Sequence, residues 1–241
     1  KNLTYSGNET LKNLTISGSY TMNDAAGDGW LGPSGTINIS GTLASAGSEA
    51  LLLDDGNTIT ALGTITGLYK LELGHTSGTV SVPACTTPRL FCNSGGTTQA
   101  TADLTITTEL EVASGTTFNA NGNTINSAEL DVNGGTLNLS NSTLNFSVGA
   151  AHEWNMTSAS TLTTGNTTVT GYSAAQRTPI SLPDTSPSTS NFEIVGNISN
   201  LDARTLTDLT VIGSVTNCIT TGTDANIRQW HHTLDTQQLL D

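Results

Sequence analysis

A pair of apolar residues, separated by one polar position, returns along the middle of the chain at nearly constant intervals: "KLEL" from Lys70, "RLFC" from Arg89, "ELEV" from Glu109, "ELDV" from Glu129 and, more loosely, "EWNM" from Glu153. The steps are 19, 20, 20 and 24 residues. In each copy the second and fourth residues are apolar, and such alternation sends one set of side chains inward from a strand and the other outward. A missed period misreads a whole fold, so this recurrence governs the rest of the reading.

Between the copies lie turn signals such as "ASGTT", "NANGNT" and "VNGGT", where Gly and Asn accept positive φ. Each leads into another short strand, for example Thr124-Ile125-Asn126 or Thr143-Leu144-Asn145-Phe146. A unit of about 20 residues holding two or three short strands fits one coil of a right-handed parallel β-helix, an all-β solenoid in which each coil pairs with the next. The competing architecture is an antiparallel β-sandwich, which also uses many short strands. Constant spacing of the apolar pairs favours the solenoid.

The grammar predicts a solenoid over residues 1–172, with irregular spacing in the N-terminal third. Asn23 to Gly35 and His75 to Pro88 read as inserted loops. Pro179, Pro183 and Pro187 interrupt strand pairing and mark 173–190 as a linker or lateral loop. Strand patterns return over 191–228 as a small C-terminal β region. Residues 229–241 enter a short helix that Asp235 would cap, and the chain reads as a mature or excised piece of a longer protein.

Composition narrows the function classes. Seven Lys and Arg against 20 Asp and Glu give a net charge of −13. Nucleic-acid binding needs clustered cations, and there is no such cluster. An anionic membrane surface would repel the chain, and no run of about 18 apolar residues provides a membrane span. Ten Asn-x-Ser/Thr sequons permit glycosylation, as expected by chance in a chain this rich in Asn and Thr.

Stacking at the 20-residue step places Glu109 against Glu129 and Glu111 against Asp131, about 4.8 Å apart. A solvated acidic ladder is the expectation. Two alternatives share the spacing: a cation such as calcium bridged by carboxylates, and a glycosidase pair of nucleophile and general acid. Asp24 and Asp28 beside glycines are a weaker calcium candidate, because they lack the EF-hand spacing. Cys85 and Cys92 flank six residues and would either close a small disulfide loop or sit in the core as small hydrophobes. Trp30, read as part of a "GDGWLG" loop, and Tyr172 are the candidate glycan or receptor contacts, with exposure as the criterion. His231 and His232 read as a terminal cap or an interface contact. No hydrolase or nucleotide-binding motif appears, so the chain is expected not to be an enzyme.

The strings "LTITTELEVASGTTFNANGNTI" and "ELDVNGGTLNLSNSTLNF" resemble β-helix rungs of bacterial surface adhesins and of tailed-phage fibre and tailspike proteins. The segment "ANIRQWHHTLDTQQLLD", with "NFEIVGNI" and "DLTVIGSVTNC", is similar to parts of large virion structural proteins of marine phages. The resemblance implies a protein of the virion surface, extracellular, often a homotrimer, whose partners are its own copies, other virion proteins and host-surface glycans. It brings no catalytic residue onto this chain.

Overall fold

The computed structural model describes residues 2–5, 9–24, 29–45, 48–146, 153–157, 159–163 and 167–172, and strands Ile180–Ser181, Phe192–Gly196, Ile198–Asp202, Asp208–Ile212, Val215–Ile219 and Asn226–Trp230. Side-chain surroundings are described within 10–170. Every pairing between these strands is parallel, each strand meeting one about a coil further on, so the chain is a parallel β-helix and not a sandwich.

Three faces build each coil. The first stacks eight strands or half-strands: Glu9–Leu11, Trp30–Pro33, Ala50–Leu53, Lys70–Leu73, the second halves of Cys85–Cys92, Leu104–Ala113 and Thr124–Asn133, then Glu153–Met156. Its inward column runs Leu31, Leu51, Leu71, Leu90, Leu110, Leu130, Trp154, all sealed from solvent. The second face carries Thr79–Val82, Thr97–Ala100, Thr117–Asn119, Thr136–Asn138 and Thr161–Thr163 in register. The third carries Thr42–Ser45, Thr64–Thr66, the first halves of the three long strands, then Thr143–Asn145 and Thr167–Tyr172. The ladder continues through Phe192–Gly196, Asp208–Ile212 and Asn226–Trp230, so the C-terminal strands prolong the same stack.

The long strands turn from the third face to the first where the in-out alternation breaks: at outward Pro88 and Arg89, at outward Thr107, Thr108 and Glu109, and at buried Ser127 and Ala128. The pairing register slips there, between Thr87 and Arg89 and between Ile106 and Glu109. Buried hydroxyls satisfy the backbone at that corner: Thr87 Oγ1 donates to the Arg89 carbonyl at 3.2 Å, and Ser127 Oγ to the Glu129 carbonyl at 2.6 Å. A second device joins consecutive coils. The positive-φ glycines Gly95, Gly122 and Gly134 donate their amides to hydroxyls of the next coil, on Thr116, Ser142 and Ser160, at 3.1, 3.0 and 2.9 Å. Small hydroxyl residues at these corners thus pair buried polar groups without breaking the stack.

Two expectations change, and the open alternative for the cysteines is decided for core burial. Trp30–Pro33 and Thr79–Val82 are strands of the regular faces, not parts of looped insertions, because Leu31 and Val82 point inward like their neighbours in register. Cys85 and Cys92 form no disulfide: both thiols are free and buried. They lie in one strand, where a rise of roughly 3.3 Å per residue keeps seven steps well beyond the 7 Å that a disulfide spans between Cα atoms. Burial pushes each thiol up to about 12, as befits a core filler.

Candidate functional site

The outward columns of the first face carry the charged chemistry. In register, Arg89 stands against Glu109, Glu109 against Glu129 and Glu129 against Glu153. Two residues along, Glu72 stands against Phe91, Phe91 against Glu111, Glu111 against Asp131 and Asp131 against Asn155. The structure therefore brings together the four acids expected from the repeat.

Their surroundings are mixed. Arg89 Nε lies 3.6 Å from a Glu109 oxygen, and Lys70 pairs with Glu72. Asp131 accepts from Asn133 at 3.1 Å and from Asn155 at 3.2 Å. Burial pushes the Glu109 carboxyl above the ordinary carboxylate range, Arg89 pulls it back, and the charges of Glu111, Glu129 and Asp131 push it further up. Glu111 is raised first by burial and then by Asp131, against a lowering bond from Asn133. The acids at this end of the face thus carry mutual repulsion that the cations only partly relieve.

A pH prediction follows from Glu111. A carboxyl raised in the folded state contributes its stability below the ordinary value of 4.5 and loses it as pH climbs through the folded value. Glu111→Gln, which keeps a group able to bond Asn133, is expected to raise the thermal midpoint at pH 7. That advantage should shrink as pH falls through the raised folded value and be gone below about 4.5, where the carboxyl is protonated in the folded and unfolded chain alike. Calorimetry across pH 3.5 to 7 on both proteins checks it.

Next to the acids lies a feature the repeat did not announce. Tyr69, Lys70, Arg89, Leu90, Phe91, Glu109 and Glu111 line a surface groove of about 100 Å³. Tyr69 is 53% exposed, the one large apolar side chain so exposed among the described residues. The Arg89 guanidinium sits 5.2 Å from the Tyr69 ring centre, and Lys70 Nζ 4.9 Å from that of Phe91. The groove is well below the 300–1,000 Å³ of pockets that enclose a small ligand. It offers a face to stack on, with donors on one side and acceptors on the other.

The other candidates fall differently. Trp30 is half-buried at the start of a strand, its ring occupying the space that a side chain at Gly32 would need, 2.6 Å from the Cβ position. It is a cover for the coil more than a free platform. The side chains of Tyr172 and Asp24, together with all of Asp28, His231, His232 and Asp235, lie outside the described residues. Among the described residues no three His, Cys, Asp or Glu side chains gather as a metal site would require.

Comparison with models of protein families, with curated proteins and with solved structures finds no match.

Proposed function

We propose that this chain is a non-enzymatic structural and adhesive solenoid of a virion surface, part of a tail fibre, tailspike or capsid fibre, that attaches particles to host-surface glycans or decorates them. The observation that carries the reading is the in-register stack itself. The seven strands of the first face from Trp30–Pro33 to Glu153–Met156 span about 30 Å at the inter-strand spacing, over an unbroken apolar column, and present straight rows of outward side chains. Such a rod holds its shape through repeated neighbour contacts and displays many similar polar sites for weak multivalent contact. Amide ladders add to the rows: Asn145 Nδ2 donates to Asn126 Oδ1 at 2.9 Å, and Thr170 Oγ1 to Asn145 Oδ1 at 3.2 Å. On this reading the chain works with copies of itself, as a homotrimer, and with other virion proteins.

A second reading, a polysaccharide-degrading tailspike, draws on the raised carboxyls of Glu109 and Glu111 beside Glu129 and Asp131. Release of reducing ends from host polysaccharide, lost in Glu109→Gln and Glu129→Gln, would establish it. Adsorption tests the first reading. An excess of the purified chain should slow particle adsorption to host cells several-fold, and unchanged adsorption at saturating protein would contradict attachment.

A further inference from the structure

The Tyr69 groove is more organised than a solvated corner requires. The Tyr69 amide donates to the Glu49 carbonyl of the preceding coil at 2.9 Å, which fixes the backbone. Its ring is braced on one side by Arg89, itself tied to Glu109. The corresponding corner carries buried Gly29 and Glu49 in the two preceding coils and half-buried Pro88 in the next, not an exposed aromatic. An exposed ring held in one orientation without contributing to the core is preorganised for a ligand, because the ordering cost is met before binding.

The ligand's chemistry follows from the walls. Tyr69 and Phe91 supply ring surface, Lys70 and Arg89 supply donors, and Glu109 and Glu111 supply acceptors. An anion seeking the cations would compete with Glu72 and Glu109 for partners already engaged, while facing the acid column. A cation seeking the acids would meet Lys70 and Arg89. A neutral polyhydroxylated ring avoids both conflicts, since each hydroxyl both donates to a carboxylate and accepts from a guanidinium or ammonium group. Its C–H face can lie on the negative face of an aromatic ring. A protein partner would need far more area than one exposed tyrosine begins.

We infer that the groove formed by Tyr69, Lys70, Arg89, Phe91, Glu109 and Glu111 binds a neutral pyranose unit of a glycan, with Tyr69 as the stacking platform. This deepens the attachment reading and rests on it for biological meaning. With so little enclosure each site binds weakly, and avidity comes from repetition over several copies.

Saturation-transfer NMR on the full chain tests it, using the methyl glycosides of glucose, galactose and N-acetylglucosamine, with galacturonate and glucosamine as charged probes. At least one neutral glycoside should receive saturation at its ring protons. Tyr69→Ala should weaken that binding tenfold or more with an unchanged thermal midpoint, while Tyr69→Phe stays within about twofold. No transfer to any neutral glycoside, equal binding by Tyr69→Ala, or preference for a charged probe would each overturn the inference. Failure here is distinguishable from failure of attachment. If Tyr69→Ala still competes for particle adsorption as wild type does, the groove is wrong and attachment stands. If neutral glycosides bind at Tyr69 but the wild-type chain does not slow adsorption, the groove stands and attachment is wrong.

Discussion

Leu110→Asp is expected to destroy the cooperative unfolding of the central coils. Leu110 lies between Leu90 and Leu130 in register and is fully buried in the inward column. Truncating such a leucine to Ala costs about 2–5 kcal/mol through lost transfer energy and the cavity left behind. Aspartate adds a desolvated carboxylate with no cation inside the coil to pair with, so the cost exceeds that range. Because a solenoid is a one-dimensional array, coils on either side keep their own neighbours and the damage stays local. The expected calorimetric trace is therefore a broadened or divided transition in place of one cooperative melt. Glu111→Gln, one residue away and outward, is the matched control. A Leu110→Asp protein that melts like wild type would mean that position 110 faces solvent and that the register is displaced by one residue.

Gly41→Val is the second large effect, and its cause is backbone crowding between coils. A Cβ at position 41 would lie 2.1 Å from the Gly18 carbonyl oxygen, and one at Gly63 2.5 Å from the carbonyl oxygens of Gly41 and Ile39. Ser19 pairs with Thr42 and Thr42 with Thr64, so Gly18, Gly41 and Gly63 form one column at the entrance to the third face. A backbone carbonyl cannot swing aside as a side chain can, and the coil spacing is fixed by hydrogen bonds such as Thr42 N–H to the Gly18 carbonyl at 2.9 Å. A loss of about 3 kcal/mol or more is expected, read as a fall in the denaturant midpoint. Gly18→Ala, where nothing lies within 4 Å, should be close to neutral. Equal effects at the two glycines would contradict the stacked column.

The inward columns were legible because burial writes a period into the chain. Leu71, Leu90, Leu110, Leu130 and Trp154 could be aligned by eye, and once aligned they carried Glu109 onto Glu129 and Glu111 onto Asp131. Trp30–Pro33 hides in the sequence because Gly32 and Pro33 break its alternation, although Leu31 still faces inward. Thr79–Val82 hides for a related reason: it lies inside a Gly- and Pro-bounded stretch whose single sealed residue, Val82, gives no pattern alone. Tyr69 left no periodic signal, since outward corner residues escape the constraint of packing. The groove exists only when "YKLEL" is laid over "RLFC" and "ELEV" and the residue ahead of each rung is read as well. Function was less legible still, because a solenoid scaffold accepts many outer surfaces.

The most direct test of the account is where the chain resides. Gold-labelled antibody raised against it should decorate the fibres, spikes or capsid surface of intact particles from the source culture when viewed by electron microscopy. Label confined to cell surfaces, with particles bare, would contradict the proposed virion location and favour a bacterial adhesin built on the same solenoid.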